Sequence, residues 1–479
     1  MNYSIITYIL GWVLTLESIF MMFPCIVALI YKEQEGFAFL IVAIVCFLLG
    51  FLRIRKKSKN QVYFAREGFV IVALSWIVMS IFGAIPFVIN GDIPSFTDAL
   101  FETISGFTTT GASALTEVET LSYCSLFWRS FTHWIGGMGV FVFLIAVLPM
   151  AGGYNMHLMR AESPGPSVGK LVPKVRETAK ILYIIYFCMT IVEIILLLIA
   201  GMPLFDAVTT SFGTAGTGGF GIKNSSMMDY NMVIQGIVTV FMILFGVNFN
   251  AYYYLLGKHK KNAFKMEEVH WYFIIISVCV FIITLNIWNL SGGLFKAFHD
   301  AAFQVASIIT TTGFATANFD LWPQLSRTIL VVVMFIGACA GSTGGGIKVS
   351  RILILAKSVK QEIGYFVHPR SVKVIKMDKK ALDSGTVRGV SAFLVTYVLI
   401  FGASMFLLAF DNLDMVTNFT SVAATINNIG PGLEIVGPCG NYSRFSPLAK
   451  YVLMFDMLAG RLELYPLLLL FTPSVWKKS

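Results

Sequence analysis

The sequence predicts an all-α membrane protein: an N-terminal two-helix hairpin, followed by four repeats of span (M1), pore helix, filter loop and span (M2) around one pseudo-fourfold pore. Three observations support this prediction. Of the 479 residues, 57% are hydrophobic and only 13% are charged, whereas an average soluble domain has roughly 25% charged residues. Long apolar windows recur along the whole chain, and short polar clusters rich in Thr and Gly lie between them at four places.

The apolar windows set the number of spans, because crossing a bilayer core takes about 20 mostly apolar residues. Ten windows qualify: 5–31, 37–53, 68–90, 127–150, 179–201, 232–256, 271–290, 328–356 with an internal break, 390–410 and 448–472. The first lacks a basic n-region and a small-residue cleavage site, so we expect it to be retained. The predicted units are the hairpin with its basic loop (1–67) and four pore repeats (68–177, 178–269, 270–387 and 388–479).

The formal net charge is +9, and the basic residues cluster in alternate connecting loops, such as 53–59, 258–265 and 357–380. In a soluble protein this excess would suggest nucleic acid. Its alternation between spans instead follows the positive-inside rule, and nucleic acid is not an expected partner. The rule predicts cytoplasmic termini and places the four polar clusters in the outer half of a plasma membrane.

The four polar clusters, here called loops 1 to 4, are residues 108–112, 215–219, 310–314 and 425–431. Each follows a short amphipathic segment of 11–16 residues, which is too short to cross the bilayer. Polar backbone at membrane depth must line water or a permeating ion, and the C-terminal ends of such half-helices favour a cation. The alternative is that these clusters are ordinary surface turns, but four in register with four half-helices favour an ion filter.

Two further features lie inside predicted spans. The run 341–346, here called the glycine-rich loop, has four glycines among six residues and cannot continue a stable helix. Its spacing does not match a phosphate-binding loop. Arg461 lies midway along the last window, where an unpaired charge is costly. It therefore either faces the pore or forms a structural ion pair with Asp456 or Glu463.

Several motifs together resemble the TrkH/KtrB/HKT superfamily of cation transporters, and most closely the bacterial TrkH-type potassium-uptake subunits, over essentially the whole chain. They are Gly106 to Ala112, Trp128 to Ser130, Trp134 to Gly139, Gly341 to Lys348, Asn427 to Gly432 and Gly460 to Glu463. The resemblance implies that one glycine in each loop lines a K⁺ filter. The second position is either Gly218 or Gly219. The predicted K⁺-binding residues are Thr109, Thr110, Gly111, Thr217, Gly218, Thr311, Thr312, Gly313, Asn428, Ile429 and Gly430.

The resemblance also implies a gate and partners. The glycine-rich loop would obstruct the pore below the filter, together with Arg461; its residues are Gly341, Ser342, Thr343, Gly344, Gly345 and Gly346. The implied function is K⁺ uptake at a bacterial inner membrane, with Rb⁺ and Na⁺ as further candidate ions. A homodimer in membrane lipid and a cytosolic nucleotide-binding ring subunit are the implied assembly.

Two other classes of function were compared with a passive channel. A K⁺/H⁺ or K⁺/Na⁺ symporter on the same fold remains an alternative function. Symport would require a titratable group along the pore, for which only Asp456 and Glu463 are candidates. An enzyme or nucleotide-driven pump is disfavoured, since the sequence has no phosphate-binding motif and no sizeable soluble domain. His and Cys show no metal-ligand spacing, so we expect no cofactor, with K⁺ itself as the bound substrate ion.

Overall fold

The computed structural model describes residues 1–55, 65–139, 175–257, 260–370 and 374–477. These residues are mostly helical, as the sequence predicts. The strand structure among them is one antiparallel hairpin, β1 (Lys376–Met377) with β2 (Lys380–Ala381). It lies near the end of the predicted third repeat and was not predicted.

The N-terminal hairpin consists of α1 (Tyr3–Phe20), α2 (Met22–Tyr31) and α3 (Gly36–Arg55). Helices α1 and α2 together form one apolar span of 29 residues. Gly11 of α1 and Gly50 of α3 meet so closely that a Cβ on Gly50 would lie 2.7 Å from the carbonyl oxygen of Gly11. Small residues at a crossing let two membrane helices approach this closely.

The four repeats follow in chain order, each with a long helix, a short buried helix and at least one further helix. Repeat 1 contains α4 (Ala65–Asn90), α5 (Phe96–Phe107) and α6 (Tyr123–Met138). Repeat 2 contains α7 (Val175–Ile199), α8 (Leu204–Gly216), α9 (Met232–Phe245), α10 (Phe249–Leu256) and the short α11 (Lys260–Ala263). Repeat 3 contains α12 (Glu267–Ile287), α13 (Leu294–Ile309), α14 (Gln324–Ile336) and α15 (Val349–Val367). Repeat 4 contains α16 (Ser384–Leu408), α17 (Met415–Ile426), α18 (Pro447–Arg461), α19 (Tyr465–Leu470) and α20 (Pro473–Trp476).

Six helical segments of the described chain are long and apolar enough to cross a membrane, or seven if the bent pair α9 and α10 is one span. The ten predicted windows thus include three in which the helix is broken. The glycine-rich loop breaks one, as predicted. The second break lies between α9 and α10, whose axes differ by 91°. The third follows Arg461, where Glu463 and Leu464 have positive φ. Residues 140–150 of the predicted fourth span lie outside the described residues.

The four short helices α5, α8, α13 and α17 position the site. Side-chain caps start two of them: Ser95 accepts from the amide of Asp98, and Asp414 accepts from the amide of Thr417 at 2.8 Å. Each helix buries its C-terminal turns inside the protein. Their C-terminal carbonyls therefore converge on the middle of the molecule, where loops 1 to 4 begin.

Candidate functional site

Loops 1 to 4 share one backbone conformation. In each loop one backbone amide donates a hydrogen bond to the carbonyl oxygen five residues earlier, in the preceding short helix. The N···O distance is 2.8 Å in all four cases. The donors and acceptors are Thr110 and Ser105, Gly218 and Gly213, Thr312 and Ser307, and Ile429 and Ala424. The residue before each donor is left-handed, with φ between 55° and 59°; these are Thr109, Thr217, Thr311 and Asn428. The common pattern makes the loops equivalent residue by residue.

This register identifies the equivalent glycines. Each donor amide is followed by a glycine with positive φ: Gly111 (77°), Gly219 (73°), Gly313 (89°) and Gly430 (94°). Gly218, the first choice from the sequence, is instead the equivalent of Thr110. The backbone therefore favours Gly219, the other candidate, as the counterpart of Gly111.

The four equivalent glycines, here called the ring glycines, close a ring. A Cβ built on each would strike the carbonyl oxygen of the residue before the ring glycine in the next loop. The glycine and the facing residue are Gly111 and Gly218, Gly219 and Thr312, Gly313 and Ile429, and Gly430 and Thr110. The last pair returns to loop 1, so the four loops surround one axis in chain order.

Hydroxyl groups hold loops 1 and 3 to their helices. Thr108 and Thr310 each donate to a helix carbonyl at 2.7 Å, and each lies 2.8 Å from the hydroxyl of the threonine two residues later. Two buried side-chain oxygens, Thr109 Oγ1 and Asn428 Oδ1, have no hydrogen-bond partner among the described residues.

Loop 2 differs because His133 occupies the space beside it. The imidazole Nδ1 lies 2.7 Å from the carbonyl oxygen of Gly106, and Nε2 accepts from the amide of Phe220 at 3.2 Å. A Cβ on Gly216 or Gly218 would collide with His133. Both glycines stand at positions that are threonine in loops 1 and 3; Gly218 makes room for the imidazole ring, and Gly216 makes room for the backbone carbonyl of His133.

A cavity of about 140 Å³, here called the vestibule, opens on the side where the chain leaves the loops. All four ring glycines line it. Side chains at its wall include Arg129, Lys223, Cys439 and Tyr442.

The glycine-rich loop covers the opposite end of the ring, where the chain enters the loops. The amide of Gly345 donates to Thr311 Oγ1 at 2.6 Å, and a Cβ on Gly344 would lie 2.8 Å from the carbonyl oxygen of Thr310. A Cβ on Gly345 would meet Asn427 and Asn428. The glycine-rich loop is thus packed directly against two of the four loops.

Three backbone hydrogen bonds join the segment after the glycine-rich loop to the segment before it. Their donors and acceptors are Ile347 and Phe335 (3.3 Å), Lys348 and Ile336 (3.0 Å), and Val349 and Ala338 (3.1 Å). The buried Lys348 folds back, so that its Nζ donates to the carbonyl oxygen of Gly344. The chain consequently leaves α14 and enters α15 at nearly the same point.

Arg461 lies beside the glycine-rich loop. Its guanidinium donates to the carbonyl oxygens of Thr343 (2.9 Å) and Gly137 (2.8 Å), and to that of Gly136. Of its two candidate carboxylates, Glu463 forms an ion pair with Arg351, and Asp456 accepts from Ser404. Arg461 therefore ties the glycine-rich loop to the end of α6.

Arg129 and Glu102 form a buried ion pair behind loops 1 and 2. The two side chains meet at 3.1 Å, and Glu102 also accepts from the hydroxyl of Ser113 and the amide of Ala114. The guanidinium stacks over Phe220, with 4.1 Å from Cζ to the ring centroid. This pair anchors the segments that follow both loops.

Replacing Arg129 with Leu should lower the free energy of unfolding by about 3–5 kcal/mol, because Glu102 would be left as a buried, unpaired charge. The matched control is Lys180→Leu, because Lys180 pairs with Glu177 on α7 and both side chains are about half exposed; we expect a loss of about 1 kcal/mol or less. Thermal unfolding of both variants in detergent measures the difference. Equal destabilisation by the two would contradict the anchoring role.

The comparisons with known proteins agree with this architecture. The family model described as TrkH, cation transport protein, matches residues 35–478. The chain is 39% identical to the Trk system potassium uptake protein TrkH of Salmonella typhimurium and 38% identical to that of Vibrio parahaemolyticus, in each case over the whole of both chains. The crystal structure of the potassium transporter TrkH from Vibrio parahaemolyticus superimposes with a TM-score of 0.89 at 36% identity, again covering both chains fully.

The resemblance noted from the sequence motifs is therefore confirmed, as is the multi-pass, all-α membrane fold. The family comprises transporters and not enzymes. The chain belongs to the TrkH family of cation transport proteins.

Proposed function

We propose that this chain takes up K⁺ through a pore that follows the axis of loops 1 to 4. The observation that carries the proposal is the closed ring of four glycines, each facing a carbonyl oxygen of the next loop. A ring of backbone oxygens can replace the hydration shell of K⁺. The names of the relatives, Trk system potassium uptake proteins, support K⁺ as the transported ion.

The proposed filter contains the ring glycines with the two residues before each one. Its members are Thr109, Thr110, Gly111, Thr217, Gly218, Gly219, Thr311, Thr312, Gly313, Asn428, Ile429 and Gly430. The backbone carbonyl oxygens of these residues are the proposed ligands of K⁺. K⁺ is then the substrate, and the chain needs no cofactor.

The glycine-rich loop and Arg461 form the proposed gate. The loop lies against Thr311 and Asn428, and the charge of Arg461 opposes a cation at that point. A cytosolic nucleotide-binding partner would act through α15, whose exposed part carries Lys360. We place both termini in the cytoplasm of a bacterial cell, the vestibule outside its inner membrane, and the chain in a homodimer; the positive-inside pattern supports the orientation.

Membrane potential is sufficient to drive this uptake. A charge gains about 2.3 kcal/mol per 100 mV, and a hundredfold gradient costs about 2.7 kcal/mol. A potential of roughly 120 mV therefore balances a hundredfold accumulation of K⁺.

The test of the function is the reversal potential in proteoliposomes, with K⁺, Na⁺ and pH varied independently. A passive K⁺ pore should follow the K⁺ gradient and ignore the pH gradient. A reversal potential that moves with the proton or Na⁺ gradient would instead support symport.

Cys439 offers a test of the vestibule as the entrance, since its exposed thiol lines this cavity. External modification with a cationic methanethiosulfonate should lower K⁺ flux by at least about threefold, because a positive charge near the path repels K⁺ even in water. A neutral reagent of similar size should have less effect, and Cys439→Ser should abolish the response. Equal inhibition of the Cys439→Ser variant would place the entrance elsewhere.

A further inference from the structure

The two ends of the glycine-rich loop converge on one carboxylate, Glu268, in the first turn of α12. Its Oε1 atom accepts from the amide of Ala340 at 2.6 Å and from the amide of Ser350 at 3.1 Å. Ala340 directly precedes the loop, and Ser350 follows it. Glu268 is buried, with 6% of its surface exposed, so these bonds are shielded from competing water.

The bond to Ser350 caps α15 from another helix. The first amides of a helix have no partner within that helix and are usually satisfied by a side chain just before it. Lys348 occupies that position with φ 85° and provides no side-chain cap, because an ammonium group has no acceptor; its Nζ donates to the carbonyl oxygen of Gly344 instead. Glu268 supplies the missing acceptor, and a carboxylate also suits the positive end of the helix dipole.

The bend between α9 and α10 also contacts the glycine-rich loop. The amide of Phe249 donates to the carbonyl oxygen of Gly341 at 3.0 Å, and the amide of Cys339 donates to that of Gly246 at 3.1 Å. The side chain of Asn248, at the bend, lies beside Gly341, where an added Cβ would be 3.4 Å from Asn248 Oδ1. The bend therefore holds the start of the glycine-rich loop, while Glu268 of α12 joins that start to α15.

We propose that Glu268 is the latch of the gate: a positioning residue that holds the glycine-rich loop closed by joining its entrance to the start of α15. The inference rests on the proposed function of that loop. Any displacement of α15 pulls the Ser350 amide away from Glu268. Opening therefore requires this carboxylate to release at least one end of the loop.

The decisive pair of variants is Glu268→Leu and Glu268→Gln. Leu removes the acceptor, whereas Gln keeps an oxygen at the Oε1 position without the charge. In K⁺ flux measured on purified protein in liposomes without any partner, Glu268→Leu should conduct about tenfold faster than the parent, which corresponds to losing one hydrogen bond to a charged group. Glu268→Gln should stay close to the parent.

Two further variants control for charge and for folding. Glu267→Leu removes the neighbouring carboxylate, which pairs with Lys357 at 2.5 Å outside the loop, and should leave the flux unchanged. Ser350→Pro removes the donor amide instead of the acceptor, at a position in the first helical turn where proline is tolerated. It should reproduce the gain in flux, and it tests the same bond if Glu268→Leu does not fold.

Deleting Gly344 to Gly346 separates the latch from the gate itself. If the deletion raises the flux but Glu268→Leu and Ser350→Pro do not, the latch is overturned and the gate stands. If none of the three raises the flux, the proposed gate fails and the latch fails with it. If Glu268→Gln conducts as fast as Glu268→Leu, the hydrogen bonds are not what holds the loop, and the proposal is also overturned.

Discussion

Deleting Gly344 to Gly346, or replacing Arg461 with Ala, should raise K⁺ flux through the purified protein in the absence of any partner. The deletion removes backbone that contacts Thr310, Thr311 and Asn428 below the ring. The backbone bonds that join the segments on either side of the loop lie outside the deleted residues, so α14 and α15 keep their junction. Selectivity should persist in both variants, since the ring glycines are untouched.

The expected size of the Arg461 effect follows from its two actions. Its bond to Thr343 holds the glycine-rich loop, and a hydrogen bond of a charged group contributes about 1.5–3 kcal/mol. Its charge also repels K⁺, by about 3 kcal/mol at 5 Å with an effective dielectric constant of 20. Either action alone predicts a flux increase of roughly tenfold to a hundredfold, at 1.4 kcal/mol per factor of ten.

Arg461→Lys distinguishes these two actions. Lysine keeps the charge but cannot present the planar guanidinium that reaches three carbonyl oxygens. An intermediate flux would show that both actions contribute. If the deletion and Arg461→Ala conduct no faster than the parent, in Rb⁺ flux assays with equal amounts of folded protein, the gate lies elsewhere and Arg461 is a structural residue.

Serine in place of a ring glycine should weaken discrimination of K⁺ over Na⁺. The added Cβ at Gly111 would collide with the carbonyl oxygen of Gly218, and a non-glycine residue with positive φ costs about 1–2 kcal/mol. Both effects displace oxygens of the ring, so selectivity should fall by roughly tenfold or more. We expect the same of Gly219→Ser, Gly313→Ser and Gly430→Ser.

The matched control is Gly236→Ser in α9, where an added Cβ meets no atom within 4 Å. It should leave both selectivity and stability near those of the parent. Uptake of Rb⁺ and Na⁺ in a strain that lacks other K⁺ systems gives the selectivity, and size-exclusion profiles verify folding. Unchanged selectivity in all four ring variants would refute the filter assignment.

Local sequence carries the positions of the four loops and of the helix break in repeat 3. Glycine clusters and short amphipathic segments are local signals, so loops 1, 3 and 4 could be aligned from residue types alone. The family and the multi-pass helical fold followed from these motifs and from the apolar windows.

Contacts between distant segments explain what the sequence could not supply. Residue types alone left Gly218 and Gly219 as alternatives, because Gly218 is a glycine that leaves space for His133 of another repeat. Arg461 hydrogen bonds to three backbone carbonyls, and such contacts leave no signature in residue types. In the sequence, Glu268 is an ordinary acidic residue in the first turn of a helix. Its contact with the start of α15 becomes evident only in the folded structure.

The ring of glycines has a consequence for how the proposed pore can diversify. In a channel of four identical subunits, one codon change alters the same position in all four subunits. The ring must then accommodate the substitution four times. Here each ring glycine is encoded by its own codon, so one contact between neighbouring loops can be altered while the other three stay intact. The imidazole beside loop 2 and the Asn-Ile pair of loop 4 are departures of this kind. In the proposed filter, ion preference can thus be adjusted at one loop while the other three stay unchanged.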